Sequence, residues 1–176
     1  MKDLLLTGPP SCGKTTAILR LVERLSDLRL AGFYTEEIRK GDGRVGFEAI
    51  GISTGQHALL AHFRSKSRHR VGRYGVEPTA LAPLVEAELG RPADAVDLFI
   101  VDEIGRMELF CPMFVDAVRR VLDGPVPVLA TVAMKDGGLI EEVKGSQDMR
   151  LIEVTGANRD GLPAELERWA RGHARQ

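Results

Sequence analysis

The sequence predicts an α/β fold: a mostly parallel central sheet, helices on both faces, and an added antiparallel hairpin. Three observations carry this. Strand-like and helix-like runs alternate along most of the chain, the pattern of a sheet covered on both sides. Leu4-Leu5-Leu6 and Leu98-Phe99-Ile100-Val101 are unbroken apolar runs, as strands buried on both faces are. Lys40-Gly41-Asp42-Gly43-Arg44 is strong turn chemistry between two strand-like stretches.

The first strand covers residues 4–7 and runs into glycine and prolines, so a loop follows it. From residue 13 to about 28, Ile18, Leu21, Val22 and Leu25 recur at helical spacing, with Arg20, Glu23 and Arg24 on the other face. Residues 32–39 and 45–52 form the two arms of the hairpin. Residues 53–75 are polar and basic and match no single element. A helix is expected over 79–89, closed by Gly90, with Pro83 early in it. The strand at 98–101 ends in Asp102-Glu103. Pro112 opens a helix that buries Val115, Val118, Val121 and Leu122 and stops at Gly124. A strand over 126–134, a short helix over 139–143, a strand over 151–154 and a helix from Pro163 through Trp169, with Gly172 beyond it, complete the chain.

With 176 residues and 19.2 kDa, one domain spanning 1–176 is expected. Surface scaling puts the folded area near 8,400 Å² against about 28,000 Å² unfolded, so roughly 70% is buried, enough for a core without staples. The 24 basic and 25 acidic residues nearly cancel, so a partner held by whole-chain charge is not implied; nucleic acid stays possible through a local patch. Cys12 and Cys111 do not make a secreted disulfide framework. The apolar start is too short for a signal peptide, and no run is long enough to span a membrane. The expectation is a cytoplasmic, monomeric protein.

Gly8-Pro9-Pro10-Ser11-Cys12-Gly13-Lys14-Thr15 fits the phosphate-loop pattern G-x-x-x-x-G-K-[ST], between a predicted strand and a predicted helix. Glycines let the backbone close on phosphates, and inward N–H groups with the helix N-terminus form an anion nest. Lys14 should reach the β- and γ-phosphates, Thr15 should offer its hydroxyl to Mg²⁺, and Thr16 continues the site. Cys12 is read either as a small residue supplying an N–H or as a thiol with lowered pKa at a helix start. Asp102 and Glu103 lie at the carboxyl end of a buried strand, where ligands of open α/β sheets bind. Asp102 suits a Mg²⁺ site, through water. Glu103 can orient or deprotonate the water that attacks the γ-phosphate, or it can be a helix-start or salt-bridge residue.

Three blocks resemble signatures of the cancer-related nucleoside-triphosphatase family of bacteria, archaea and animals: residues 7–16, Gly32-Phe33-Tyr34-Thr35-Glu36-Glu37-Ile38-Arg39, and Val101-Asp102-Glu103-Ile104-Gly105-Arg106-Met107-Glu108-Leu109-Phe110. Ala130-Thr131-Val132 leading to Glu141-Glu142-Val143, and Val154-Thr155 with Asn158-Arg159-Asp160, match as well, so the likeness runs nearly end to end. The resemblance implies a RecA-like P-loop core that hydrolyses several nucleoside triphosphates with Mg²⁺ and weak base preference. Arg106 is a departure, since the family pattern carries lysine there as often; the charge survives with a different geometry.

Other residues stay open at this stage. Arg106 can contact the γ-phosphate or pair with Glu108. Glu37 and Arg39 share one strand face and Tyr34 and Glu36 the other, without an assigned role. Arg64, Lys66, Arg68, Arg70 and Arg73, with His69 among them, can close over the triphosphate, bind a polyanion, or be solvated. The histidines show no zinc spacing. Asn158 and Arg159 can hydrogen-bond and stack on a base, or they form a loop with Asp160 as the N-cap of the last helix. The favoured reading is hydrolysis of NTP to NDP and phosphate. Lys14, Glu103 and Arg106 are catalytic in it, Gly8 through Thr16 with Asn158 and Arg159 bind nucleotide, and Thr15 and Asp102 hold Mg²⁺. The rivals are a kinase that phosphorylates a hydroxyl, such as a polynucleotide 5′-end, and a nucleotide-switched binding module.

Overall fold

Leu4, Leu5 and Leu6 lie wholly buried near the middle of the parallel half of a nine-stranded sheet. The structure, a computed structural model, describes residues 1–134 and 137–174. In chain order, β1 (Asp3–Thr7) is followed by α1 (Lys14–Arg24), β2 (Leu30–Lys40), β3 (Gly43–Gly51), β4 (His57–His62), β5 (Arg70–Val71), β6 (Tyr74–Val76) and α2 (Pro78–Leu89). Then come β7 (Leu98–Ile104), α3 (Pro112–Asp123), β8 (Val128–Val132), α4 (Leu139–Lys144), β9 (Met149–Glu153) and α5 (Leu162–His173), with single 3₁₀ turns at Ala93–Ala95 and Glu108–Phe110.

The sheet order is β5-β6-β4-β3-β2-β7-β8-β1-β9. The five strands from β2 to β9 pair in parallel. Their side chains alternate between two cores, as the two-residue period requires. Leu4, Leu6, Leu98 and Ile100 pack with Ile18 and Leu21 of α1 and Leu166 and Trp169 of α5. Leu5, Phe99 and Val101 pack on the opposite face with Leu84 of α2, Phe114 and Val118 of α3 and Ile140 of α4. The total accessible area, 8892 Å², is close to the value expected from mass.

The expected hairpin is present as β2–β3, with Arg39 opposite Arg44 and Gly41 at φ 59° in the turn. It is the start of a larger antiparallel extension, because residues 53–75 hold β4, β5 and the beginning of β6. Several expected boundaries move: the strand over 126–134 shortens to Val128–Val132, that over 151–154 shifts to Met149–Glu153, and that over 98–101 continues through Asp102-Glu103 to Ile104. The first helix ends at Arg24 rather than near residue 28, the Leu25 N–H closing on the carbonyls of Leu21 and Val22. The last helix runs through Gly172 to His173, whose ring stacks on Trp169 at 5.3 Å and bonds its carbonyl oxygen. The N-cap of that helix is Gly161, not Asp160; its first N–H groups are held by the Asn158 carbonyl.

Candidate active site

The sheet brings the carboxyl ends of β1, β7 and β8 to one edge, with β8 between the other two. Leu6 sits opposite Thr131 and Val101 opposite Ala130, so the loop after β1 and the acids ending β7 flank the same point on β8.

The loop between β1 and α1 needs its glycines. Gly8 has φ 148°, and a Cβ there would stand 2.8 Å from Cys12 Sγ and 2.9 Å from the Val154 carbonyl oxygen. Gly13, the N-cap of α1, has φ 109°. Ser11 at φ 62° is the one non-glycine residue with positive φ among the described residues. Lys14 folds over the loop, its Nζ donating to the carbonyls of Gly8 at 3.0 Å and Pro9 at 3.3 Å. The Cys12 N–H donates to the Pro9 carbonyl at 3.3 Å, so it braces the loop.

Asp102 is buried and accepts two hydrogen bonds, from Thr15 Oγ1 at 2.7 Å and from Thr131 Oγ1 at 2.5 Å, with the Thr35 backbone N–H near it. Burial drives its carboxyl above the usual range, against the pull of those donors and of Lys14. Thr15 and Asp102 present oxygen alone, the donor chemistry that suits a hard divalent cation. The Asp102–Glu103 peptide is cis. Glu103 is half-buried; burial raises its carboxyl, Lys14 opposes the rise and Asp102 adds to it.

Glu108, only 4% exposed, stands beside Glu103 on the short 3₁₀ turn after β7. A Cβ on Gly105 would lie 2.7 Å from Glu103 Oε1 and 3.0 Å from Glu108 Oε2, so both carboxyls reach the same point above that glycine. Burial, reinforced by Glu103 and Asp102, pushes the Glu108 carboxyl up to about 8, against the pull of the nearby Glu108 and Gly105 N–H dipoles.

These groups surround one cavity of about 620 Å³. Gly8, Pro10, Ser11, Gly13, Lys14, Thr15 and Thr16 form one wall, and Glu103, Arg106 and Glu108 another. Phe47, Leu60, Val71 and Met107 make the far side apolar. Asn158 and Arg159 do not line it. The Asn158 amide is used locally, accepting from the Thr155 N–H and donating to the Glu153 carbonyl, both at 2.8 Å. Arg159 lies against the outside of the loop, 3.9 Å from where a Gly13 Cβ would be. Sequence reasoning missed Thr131, Glu108 as a cavity residue, and the Thr35 N–H. Thr131 alone carried a signal, as the single polar residue in a buried strand.

Fold and cavity define a P-loop protein whose glycine loop faces the carboxylates of Glu103 and Glu108 across one cavity. The family model described as NTPase matches residues 3–166. Nucleoside-triphosphatase THEP1 of Natranaerobius thermophilus is 42% identical over 166 residues, covering 93% of each chain. The cancer-related nucleoside-triphosphatase of Homo sapiens is 37% identical over 180 residues, covering 94% of each. The crystal structure of THEP1 from Aquifex aeolicus superposes with a TM-score of 0.84 at 35% identity, covering 93% of this chain and 96% of that one. The chain belongs to this NTPase family, the one its sequence blocks resemble.

Proposed function

We propose that the protein hydrolyses nucleoside triphosphates to diphosphate and phosphate, with Mg²⁺ and with little preference for the base. The observation that carries this reading is the convergence of the Lys14 loop and Glu103 on one cavity, with Asp102 bonded to Thr15 of the loop. Weak base preference is in keeping with Asn158, the base-reading candidate of the sequence, being spent on its own turn. Mg²⁺ fits the Thr15 and Asp102 oxygens, and when bound it would neutralise charge on the phosphate tail.

The chain's own residues supply the rest. The loop N–H groups and the N-terminus of α1 hold the phosphates, and Lys14 leaves the Gly8 and Pro9 carbonyls for the phosphate oxygens. Glu103 orients a water and accepts its proton as the water oxygen bonds the γ-phosphorus. The bond from the γ-phosphorus to the bridging oxygen breaks, and that oxygen keeps the electron pair. Arg106, across the cavity from the loop, supplies positive charge towards the transferring group. Phosphate release measured over ATP, GTP, CTP and UTP tests this. Rates should agree within about tenfold, and Glu103→Gln should cut them by about 10²–10⁴ while nucleotide affinity stays. Unchanged turnover would remove Glu103 from the chemistry.

The apolar side of the cavity favours a second reading. Phe47, Leu60, Val71 and Met107 extend it past Glu103, leaving space for a molecule with a hydroxyl that could take the phosphoryl group in place of water. Comparing phosphate release with phosphoryl transfer in the presence of nucleosides and 5′-hydroxyl oligonucleotides separates the two readings.

A further inference from the structure

Residues 49–76 contain no aspartate or glutamate, in a chain whose 24 basic and 25 acidic residues otherwise balance. The same stretch carries Arg64, Lys66, Arg68, Arg70 and Arg73, all exposed. From 64 to 71 exposure alternates, with Ser65, Ser67, His69 and Val71 half-buried between the exposed cations. Residues 63–69 form a turn and loop that leads into β5, so Arg64, Lys66, Arg68 and Arg70 present their charges along the free end of the sheet, beside β5 and β6.

Six arginines elsewhere are paired with acids. Arg24, Arg29, Arg44, Arg119, Arg150 and Arg171 each have a carboxylate oxygen at 2.6–2.9 Å. In the row, the bonds go to neutral oxygens: Arg70 donates to the carbonyls of Ser65 and Arg73, and Arg73 to the Arg44 carbonyl and the Tyr74 hydroxyl. Such bonds fix the guanidinium groups without cancelling their charge. They also argue against a lid, since Arg70 and Arg73 are anchored to neighbouring backbone oxygens. At the head of the row Phe63 remains 39% exposed, with the His62 ring 5.0 Å from its centroid and Arg64 Cζ at 5.3 Å.

We propose that this edge of the sheet binds single-stranded nucleic acid, its phosphates along the row from Arg64 to Arg73 and a base stacked on Phe63. A cationic track whose one contacting acid among the described residues, Glu77, is bonded to Ser65, set beside an exposed ring, is the chemistry that single strands select, and it needs no base-specific hydrogen bonds. A duplex would leave the ring unused, because its bases are already stacked. The far end of the track meets the active site, where Arg70 and Val71 line a depression with Arg106 and Phe110.

The test is fluorescence anisotropy on the full chain with end-labelled U20, dT20 and a 20-base-pair duplex, titrated from 50 to 300 mM salt. Binding to U20 or dT20 is expected in the micromolar range at low salt. Neutralising three to five phosphates gives a slope of log affinity against log salt between about −2 and −3.5. Arg68→Glu combined with Lys66→Glu should weaken binding at least tenfold and flatten that slope. Phe63→Ala should weaken it at least fivefold with the slope kept, and both variants should release phosphate from ATP at the unaltered rate. A preference for U20 over dT20 would identify RNA as the source of the strand, and equal binding would identify any single strand. Four results would each overturn the proposal: no binding at 50 mM salt, tighter binding of the duplex, affinity unmoved by the double substitution, or inorganic polyphosphate binding as tightly and ignoring Phe63.

Discussion

Replacing Glu108 with glutamine keeps the size of the side chain and removes its ionisation. The folded carboxyl holds its proton up to about pH 8, against an ordinary value of 4.5. Below both values the group is protonated in the folded and unfolded chains alike and contributes nothing to the pH dependence. Between them the unfolded chain gives up the proton while the folded chain keeps it, so stability falls as pH rises; above about 8 the penalty is complete. A displacement of three to four units at about 1.4 kcal/mol each sets a ceiling near 5 kcal/mol, and relaxation with water entry brings it to roughly 2–5 kcal/mol. Each kcal/mol moves the melting temperature of a chain this long by about 2–4 °C. Glu108→Gln is therefore expected to raise Tm by about 5–15 °C at pH 9 and by almost nothing at pH 4.5. Scanning calorimetry of both proteins in chelator at pH 4.5, 7 and 9 measures this. The comparison must be between variants, because burial also raises the carboxyls of Asp102, Glu103 and Asp3 and gives the unaltered protein a slope of its own. An equal Tm difference at pH 4.5 and 9 would refute the reasoning, since a lost contact has no reason to titrate.

Two further substitutions separate site from scaffold. Lys14→Ala should leave Tm within about 2 °C, abolish turnover and weaken triphosphate affinity by tenfold or more, as read by calorimetric titration; near-normal phosphate release would move the active site elsewhere. Gly32→Ala should do the reverse of a site variant and collapse the fold. Gly32 has φ 119° and a Cβ there would lie 1.8 Å from the Ile100 carbonyl oxygen, a backbone atom of a central strand that cannot step aside. A loss of 3 kcal/mol or more is expected, seen as a Tm drop of about 10 °C or as insoluble protein.

The parallel half of the fold was legible because burial on both faces leaves an unambiguous pattern. Leu4-Leu5-Leu6 and Leu98 to Val101 cannot be edge strands, and Pro112 and Gly124 mark the ends of α3 as their backbone chemistry requires. The loop from Gly8 to Thr15 was legible for a different reason, since its spacing is dictated by phosphate geometry and not by packing. The strands after residue 53 were not. In β4 the burial alternation breaks before His62, a register shift in β3 at Phe47–Glu48 disturbs the pairing, and β5 is two residues long. No periodicity survives over so few positions. Within the site, the Lys14 loop and the Asp102–Glu103 pair could be found from local spacing. Thr131 and Thr35 meet Asp102 only through strand pairing across the sheet, and Glu108 becomes a cavity residue only because a 3₁₀ turn folds it back beside Glu103.

Gly105 offers the sharpest way to ask whether the two glutamates act together. Its conformation does not require glycine; the space above it does, because Glu103 Oε1 and Glu108 Oε2 already occupy the place of a Cβ. The two oxygens are ends of side chains, and the third near atom, Glu103 Cγ at 3.0 Å, belongs to the same flexible side chain, so an alanine can be accommodated by swinging Glu103 and the Glu108 carboxyl apart. The fold loses little, less than about 1 kcal/mol, which is under 4 °C in Tm. The site loses more. A carboxylate that accepts a proton from an attacking water must hold it within hydrogen-bond reach, and a displacement near 1 Å in such a geometry costs about 10²-fold in rate. Gly105→Ala should therefore lower kcat by 10-fold or more while KM and Tm stay close to their original values. If kcat is untouched, the position of Glu103 relative to Glu108 has no part in hydrolysis. If kcat and Tm fall together, Gly105 is there for the packing of the turn, and the pairing of the two acids is only a consequence of it.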